Sequence, residues 1–291
     1  MFFKCKGGSG SNVTIDGVEV EEDLALSSGV MDINKGALPY EFYTGCAVVL
    51  NNEIHILGSS NSNYYKYHYK YNGTSWTSVS TLPYNFYKGS AVVYKDEIRI
   101  IGGQGGKTNH YRLSGTSWLK CSTLSGDFYN GSAEVLNDEI YIMGGDELPS
   151  SYYKYNGSSW SSRNMPYPYH KGSSVVLNGE IHLLGNYYQT SYYQYHYKFN
   201  GTSWTSVSTI PYYFYEGSAV VLDNEIHILG CNYSNFLTNH YKFDGTNWTS
   251  VSTLPYKFYR GSAVVHNGAI NLLGSEQFKT NHYAIQQEYY Y

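Results

Sequence analysis

A loop of the form PYxFYxG, or a close variant of it, occurs six times in the chain, and its two variable positions carry seven charged side chains of both signs. The inner set is Thr44, Lys88, Asn130, Lys171, Glu216 and Arg260, and the outer set is Glu41, Asn85, Asp127, Pro168, Tyr213 and Lys257. Cationic, anionic and amide groups mixed in this way suit recognition of a glycan or a protein. With Glu216 as acid and base beside Lys or Arg, they would also suit proton movement on a sugar. The tyrosines of the same loops, Tyr40, Tyr84, Tyr167, Tyr212 and Tyr256, offer flat apolar area with a hydrogen-bonding tip, which is a platform for a sugar or a partner protein. The adjoining Phe42, Phe86, Phe128, Phe214 and Phe258 read as packing.

Other chemistries find less support. His55, His182 and His227 share one slot of the repeat with Arg99, Tyr141 and Asn271, so they are spread around the molecule and do not gather on a metal ion. The run GGQGGK (Gly102 to Lys107) follows an apolar strand with no helix after it, so it lacks the helix dipole of a phosphate site. No Ser-His-Asp spacing or HExxH is present, and no cofactor is expected. The four cysteines lie far apart without a CxxC, and Cys46 stands where the repeat otherwise has Ser, so free thiols are expected. A net charge of −4 without a local Lys/Arg cluster excludes a nucleic-acid footprint. The start MFFKCKGGSG lacks the apolar core of a signal peptide, and no run of about 18 apolar residues suggests membrane insertion.

The elements that must hold these loops come from the repeat. Units begin near residues 38, 82, 124, 165, 210 and 254, at spacings of 41 to 45 residues. Each reads as an apolar strand such as GSAVVL (Gly217 to Leu222), a two-residue turn such as Asn178-Gly179, and a second strand such as EIHIL (Glu225 to Leu229). A Tyr-rich third strand and a fourth strand opened by Trp (WTSVST, Trp248 to Thr253) complete the unit. The composition agrees, with 14% charged residues but 35 Tyr and 30 Gly. One such sheet cannot bury both of its faces, whereas six arranged radially can, so an all-β, six-bladed propeller of four-stranded antiparallel blades is expected.

The order of apolar hairpin, glycine pair, Tyr, Trp and short fourth strand resembles the kelch-repeat propellers over residues 38 to 291. The glycine pair is intact only at Gly102-Gly103 and Gly144-Gly145; elsewhere its second member is Ser59, Asn186, Cys231 or Ser275. Unit six has no Trp, so its fourth strand is either the terminal Tyr289 to Tyr291 or a borrowed one, and Val30 to Asn34 is predicted to close the ring. Residues 1 to 28 stand outside the repeats, with a possible turn at Asp16-Gly17 and an acidic run from Glu19 to Asp23. Their style is similar to short leaders of phage structural proteins, which implies docking into a larger assembly.

In a meander blade the inter-blade connections and the loops between second and third strands lie on one face, and the variation within this chain is concentrated there. Three functions follow as expectations. The leading one is a non-enzymatic binding propeller on a phage or prophage tail or virion, touching a glycan or a protein. The second is an intracellular adaptor of the kelch kind in the cytoplasm. The third is a sugar isomerase acting on a sialic-acid-like substrate, a chemistry that the kelch resemblance admits; a copper radical oxidase, which it also admits, would need a Cys beside an axial Tyr/His set.

Overall fold

The computed structural model describes residues 13–15, 18–20, 28–233 and 235–289, and every regular element among them is a strand. Six four-stranded antiparallel sheets form the body. Blade one runs Cys46–Leu50, Glu53–Leu57, His68–Tyr71 and Trp76–Ser78 in consecutive order. Its first turn, Asn51 and Asn52 at φ 51° and 59°, has the two positive φ values that match the natural twist of a tight hairpin.

Packing between blades explains the composition. Val48 and Leu57 of blade one pack on Leu82, Phe86 and Ile98 of blade two in one apolar cluster, and five further clusters repeat this across the other boundaries. Each second strand is therefore covered on both faces, as the pattern of four consecutive buried residues in Glu53–Leu57 records. Close approach fixes the glycine that follows it: a Cβ on Gly58 (φ 64°) would lie 1.9 Å from the Phe86 carbonyl oxygen of the next blade. Any side chain there would push two blades apart.

The sixth blade takes its fourth strand from the start of the chain. Ser28–Ala37 pairs antiparallel with Asn281–Tyr289, with Ala284 opposite Ile33. The fourth strand of blade five ends at Ser250, shorter than the sequence pattern predicts, although Val251 still donates its N–H to the His240 carbonyl at 3.0 Å. Blade four departs in the other direction. Its second and third strands, Glu180–Tyr188 and Ser191–Phe199, lengthen to nine residues each and meet at Gln189 and Thr190. Before the first blade, Val13–Ile15 and Val18–Val20 pair antiparallel on either side of Asp16-Gly17, and that turn and the rest of the acidic run lie outside the described residues.

Candidate functional site: the loop face and channel mouth

Thr44, Lys88, Asn130, Lys171, Glu216 and Arg260, each followed by a glycine, surround one opening of about 130 Å³ on the axis. All six adopt left-handed backbone, with φ between 52° and 58°. For residues other than glycine this conformation is costly, and a closed set of hydrogen bonds holds it here. Lys88 N–H donates to the Thr44 carbonyl (2.7 Å), Asn130 to Lys88 (2.8 Å), Lys171 to Asn130 (2.9 Å), Glu216 to Lys171 (2.7 Å), Arg260 to Glu216 (2.7 Å) and Thr44 back to Arg260 (2.6 Å). The backbone thus makes a six-membered ring around the axis. The six side chains project from equivalent backbone and differ in charge and length.

Half of this mouth is occupied by ion pairs. Glu216 accepts from Arg260 Nε at 2.7 Å and from Asn232 at 2.7 Å, with Lys171 Nζ at 3.1 Å, while Arg260 also reaches Glu276 at 2.9 Å. Burial alone would raise the Glu216 carboxyl, but Arg260, with Lys171 and Asn232, holds it below the ordinary carboxylate range. In the same way, burial raises Asp146 and its hydrogen bond with His170 outweighs this, so Asp146 is held low. Asn130 also donates to Asp146, at 2.7 Å. Among the described residues, Lys88 makes no salt bridge and no side-chain hydrogen bond. Among the described residues it is thus the unpaired cation of the mouth.

The outer ring is anchored by the residue after the first glycine of the pair. Where that position is not glycine, its side chain donates to the carbonyl of the outer-ring residue: Ser59 to Glu41 (2.7 Å), Asn186 to Pro168 (2.7 Å), Cys231 to Tyr213 (2.8 Å) and Ser275 to Lys257 (2.9 Å). The departures from a double glycine are thus loop anchors, a role their sequence position does not reveal. Of the side chains they carry, Glu41 is tied to Asn61 and Lys279, and Asp127 to Lys107 at 3.0 Å. Asn85, Tyr213 and Lys257 are exposed.

The tyrosine platform expected at Tyr40, Tyr84, Tyr167, Tyr212 and Tyr256 is corrected by the structure. All five are between 3% and 8% exposed. Tyr40, Tyr84, Tyr212 and Tyr256 turn their hydroxyls inward onto the carbonyls of Gly58, Gly102, Gly230 and Gly274, at 2.8 to 3.1 Å. The polar tip that suggested a wet surface satisfies a carbonyl buried at the blade boundary. Exposed tyrosine lies elsewhere, at Tyr67 in the loop before His68–Tyr71, at Tyr192 and Tyr195 of the long blade-four hairpin and at Tyr213 beside it.

Inward from the mouth the axis is lined by first-strand side chains, mostly Ala and Val, around a space of about 480 Å³. Glu134 takes a valine position of the repeat, and Ser174 of the next blade takes an alanine position; the two meet in a hydrogen bond of 2.7 Å. Burial pushes the Glu134 carboxyl up to about 7 despite that bond. An alignment of the six repeats would have exposed both departures.

The second-strand histidines His55, His182 and His227 each pair with a third-strand histidine, His68, His196 and His240, with ring nitrogens 2.8 Å apart. Burial holds all six well below the ordinary histidine range, at about 3 to 4. These are neutral links between strands. Among the described residues, no cluster of three or more His, Cys, Asp or Glu is placed to hold a metal ion, and no helix is long and apolar enough to cross a membrane.

No family model and no curated protein matches the chain. Among solved structures, that of YjhT superposes with a TM-score of 0.75 at 13% identity, covering 88% of this chain and 99% of that one. At that identity the likeness is one of fold, the six-bladed β-propeller.

Proposed function

We propose that the chain is a non-enzymatic recognition propeller of the kelch-like kind, borne on a phage or prophage tail or virion, which engages a glycan or a protein through its loop face. One observation carries the reading. The channel mouth repeats a single backbone conformation six times and places a different charge pattern on it, so the scaffold is held constant where the side chains vary. Exposed Tyr192, Tyr195 and Tyr213 on the same face add the flat aromatic area that glycan and protein ligands use. Residues 1 to 28, which include the paired strands Val13–Ile15 and Val18–Val20, are the segment that would dock the propeller into its particle.

The isomerase expectation puts acid and base on Glu216, and its ion pairs with Arg260 and Lys171 hold that carboxyl below the ordinary range, which makes it a weak base for abstracting a sugar proton. Binding is the reading that this arrangement favours.

The test uses labelled protein on a panel of intact bacterial cells, untreated, periodate-oxidised or protease-shaved. Binding to untreated cells that disappears after periodate supports a glycan ligand, and binding that disappears after protease supports a protein. If no cell type binds and a partner is captured only from cytosol, the adaptor reading replaces this one.

A further inference from the structure

We infer that blade four carries a saccharide-binding cleft, separate from the channel mouth, between its long hairpin and the connection to blade five. The inference rests on the recognition reading and names its ligand class. The cleft encloses about 380 Å³, with Tyr192, Tyr193 and Tyr195 on the hairpin side, Tyr213 on the connection, and Ser208 and His196 deeper in the wall.

Its walls have two different characters. The rim is aromatic and partly exposed: Tyr192 and Tyr195 are each 36% exposed, and Tyr193 stacks on Tyr195 with ring centroids 4.8 Å apart at 22°. The interior is polar and unsatisfied. In blade one, Ser80 accepts from Trp118 Nε1 of the next blade at 3.1 Å and bonds His68 Nδ1 at 3.3 Å; in blade two, Ser122 does the same with Trp160 (2.9 Å) and His110 (3.0 Å). Blade four has the corresponding residues Ser208, Trp248 and His196. Yet Ser208 Oγ, Trp248 Nε1 and His196 Nδ1 are all buried without a hydrogen-bond partner among the described residues. His196 is 2% exposed.

Buried polar atoms left unpaired are costly, and a native fold retains them where something else completes them. The equivalent ring nitrogen is also unpartnered at His240 and His282, and the indole N–H at Trp76 and Trp204, so of the three only the Ser208 hydroxyl is unpaired in this blade alone among the described residues. Blade four is distinguished by the cleft over the site and by the lengthened hairpin that walls it. Of these three, Ser208 and His196 line the aromatic-rimmed cleft, and a hydroxyl and an imidazole there match a pyranose ring, whose C–H face stacks on tyrosine and whose hydroxyl both donates and accepts. An apolar peptide side chain would leave the base unsatisfied.

The experiment is a glycan array printed with hexose, N-acetylhexosamine, deoxyhexose and sialic acid saccharides, followed by titration of the best-bound glycan against variants. Wild-type protein should bind at least one class. Tyr192→Ala and Tyr195→Ala, both at exposed positions, should weaken it tenfold or more, Tyr192→Phe should retain most binding because the ring remains, and Ser208→Ala should weaken it several-fold. Lys120→Ala, on the strand Ser117–Thr123 away from the loop face, should stay within twofold. If glycan binds and the tyrosine variants match wild type while Lys88→Ala loses tenfold, the ligand sits at the mouth; the cleft is then overturned and the recognition reading survives. Absence of any glycan binding by the wild type, with the fold verified by circular dichroism, overturns the cleft and the glycan form of the recognition reading together.

Discussion

The Thr44 N–H donates to the Arg260 carbonyl at 2.6 Å, and that contact between the first and last units closes the ring of backbone bonds around the axis. Thr44 holds φ at 52°, where a β-branched residue is least at ease, and its Oγ1 is buried without a partner. Thr44→Asn introduces the residue type already used at Asn130, and should stabilise the protein by about 1 kcal/mol. Chemical denaturation measures this. A loss of similar size would mean that the threonine side chain, and not the left-handed backbone, sets the cost at this position.

The tyrosine ring is a stability element. Tyr212→Phe leaves the Gly230 carbonyl without its 3.1 Å bond from the hydroxyl, and should cost roughly 1–3 kcal/mol with no change in ligand affinity. Comparison of the urea midpoint with a binding titration on the same variant separates the two effects. A binding loss at unchanged stability would restore the platform reading.

Acid should unfold the propeller earlier than its carboxylates alone would suggest. His55, His182, His227 and His282 titrate near 4 in the folded protein, and His68, His110, His196 and His240 near 3, because burial disfavours the charged ring. The unfolded chain takes up protons first, near 6.5, so stability is intact above that pH and is lost as pH falls toward 4. The slope approaches on the order of 1 kcal/mol per pH unit for each such histidine. Urea unfolding at pH 7.5, 6.0 and 5.0 tests it, and a flat profile across that range would contradict the buried neutral pairs.

Glu134 has the opposite sign. Its folded carboxyl titrates near 7, above the usual carboxylate range, so the native state holds that proton longer and loses stability as pH rises through 5 to 7. The double change Glu134→Val, Ser174→Ala restores the repeat's own channel residues, and should raise the thermal midpoint at pH 8 more than at pH 5. An equal shift at both pH values would show that the carboxylate carries no such penalty.

The architecture was legible because self-similarity announces it: six copies of one strand pattern leave few ways to bury both faces of each sheet. The ring from Thr44 to Arg260 was legible for the same reason, since equivalent positions must surround the axis. Tyr40 and its equivalents were misread because one side chain supplies both an apolar body and a polar tip, and only the Gly58 carbonyl 3.1 Å away decides which environment the tip meets. The Ser80, His68 and Trp118 network and the incomplete version at Ser208 join residues of different blades, so no local pattern announces them. The blade-four cleft depends on strand lengths beyond the repeat, at Glu180–Tyr188 and Ser191–Phe199, where alternating tyrosines look alike whether paired or looped.

The recognition face itself is tested most directly by two charge-matched double variants assayed on the same cells. Lys88→Glu with Lys257→Glu alters the loop face; Lys95→Glu, at the turn between Ser90–Tyr94 and Glu97–Ile101, with Lys120→Glu on the outermost strand Ser117–Thr123, alters other surfaces by the same net charge. Cell binding should fall tenfold or more for the first pair and stay within twofold for the second. Equal losses from both pairs, or a loss from the second alone, would contradict a ligand held on the loop face.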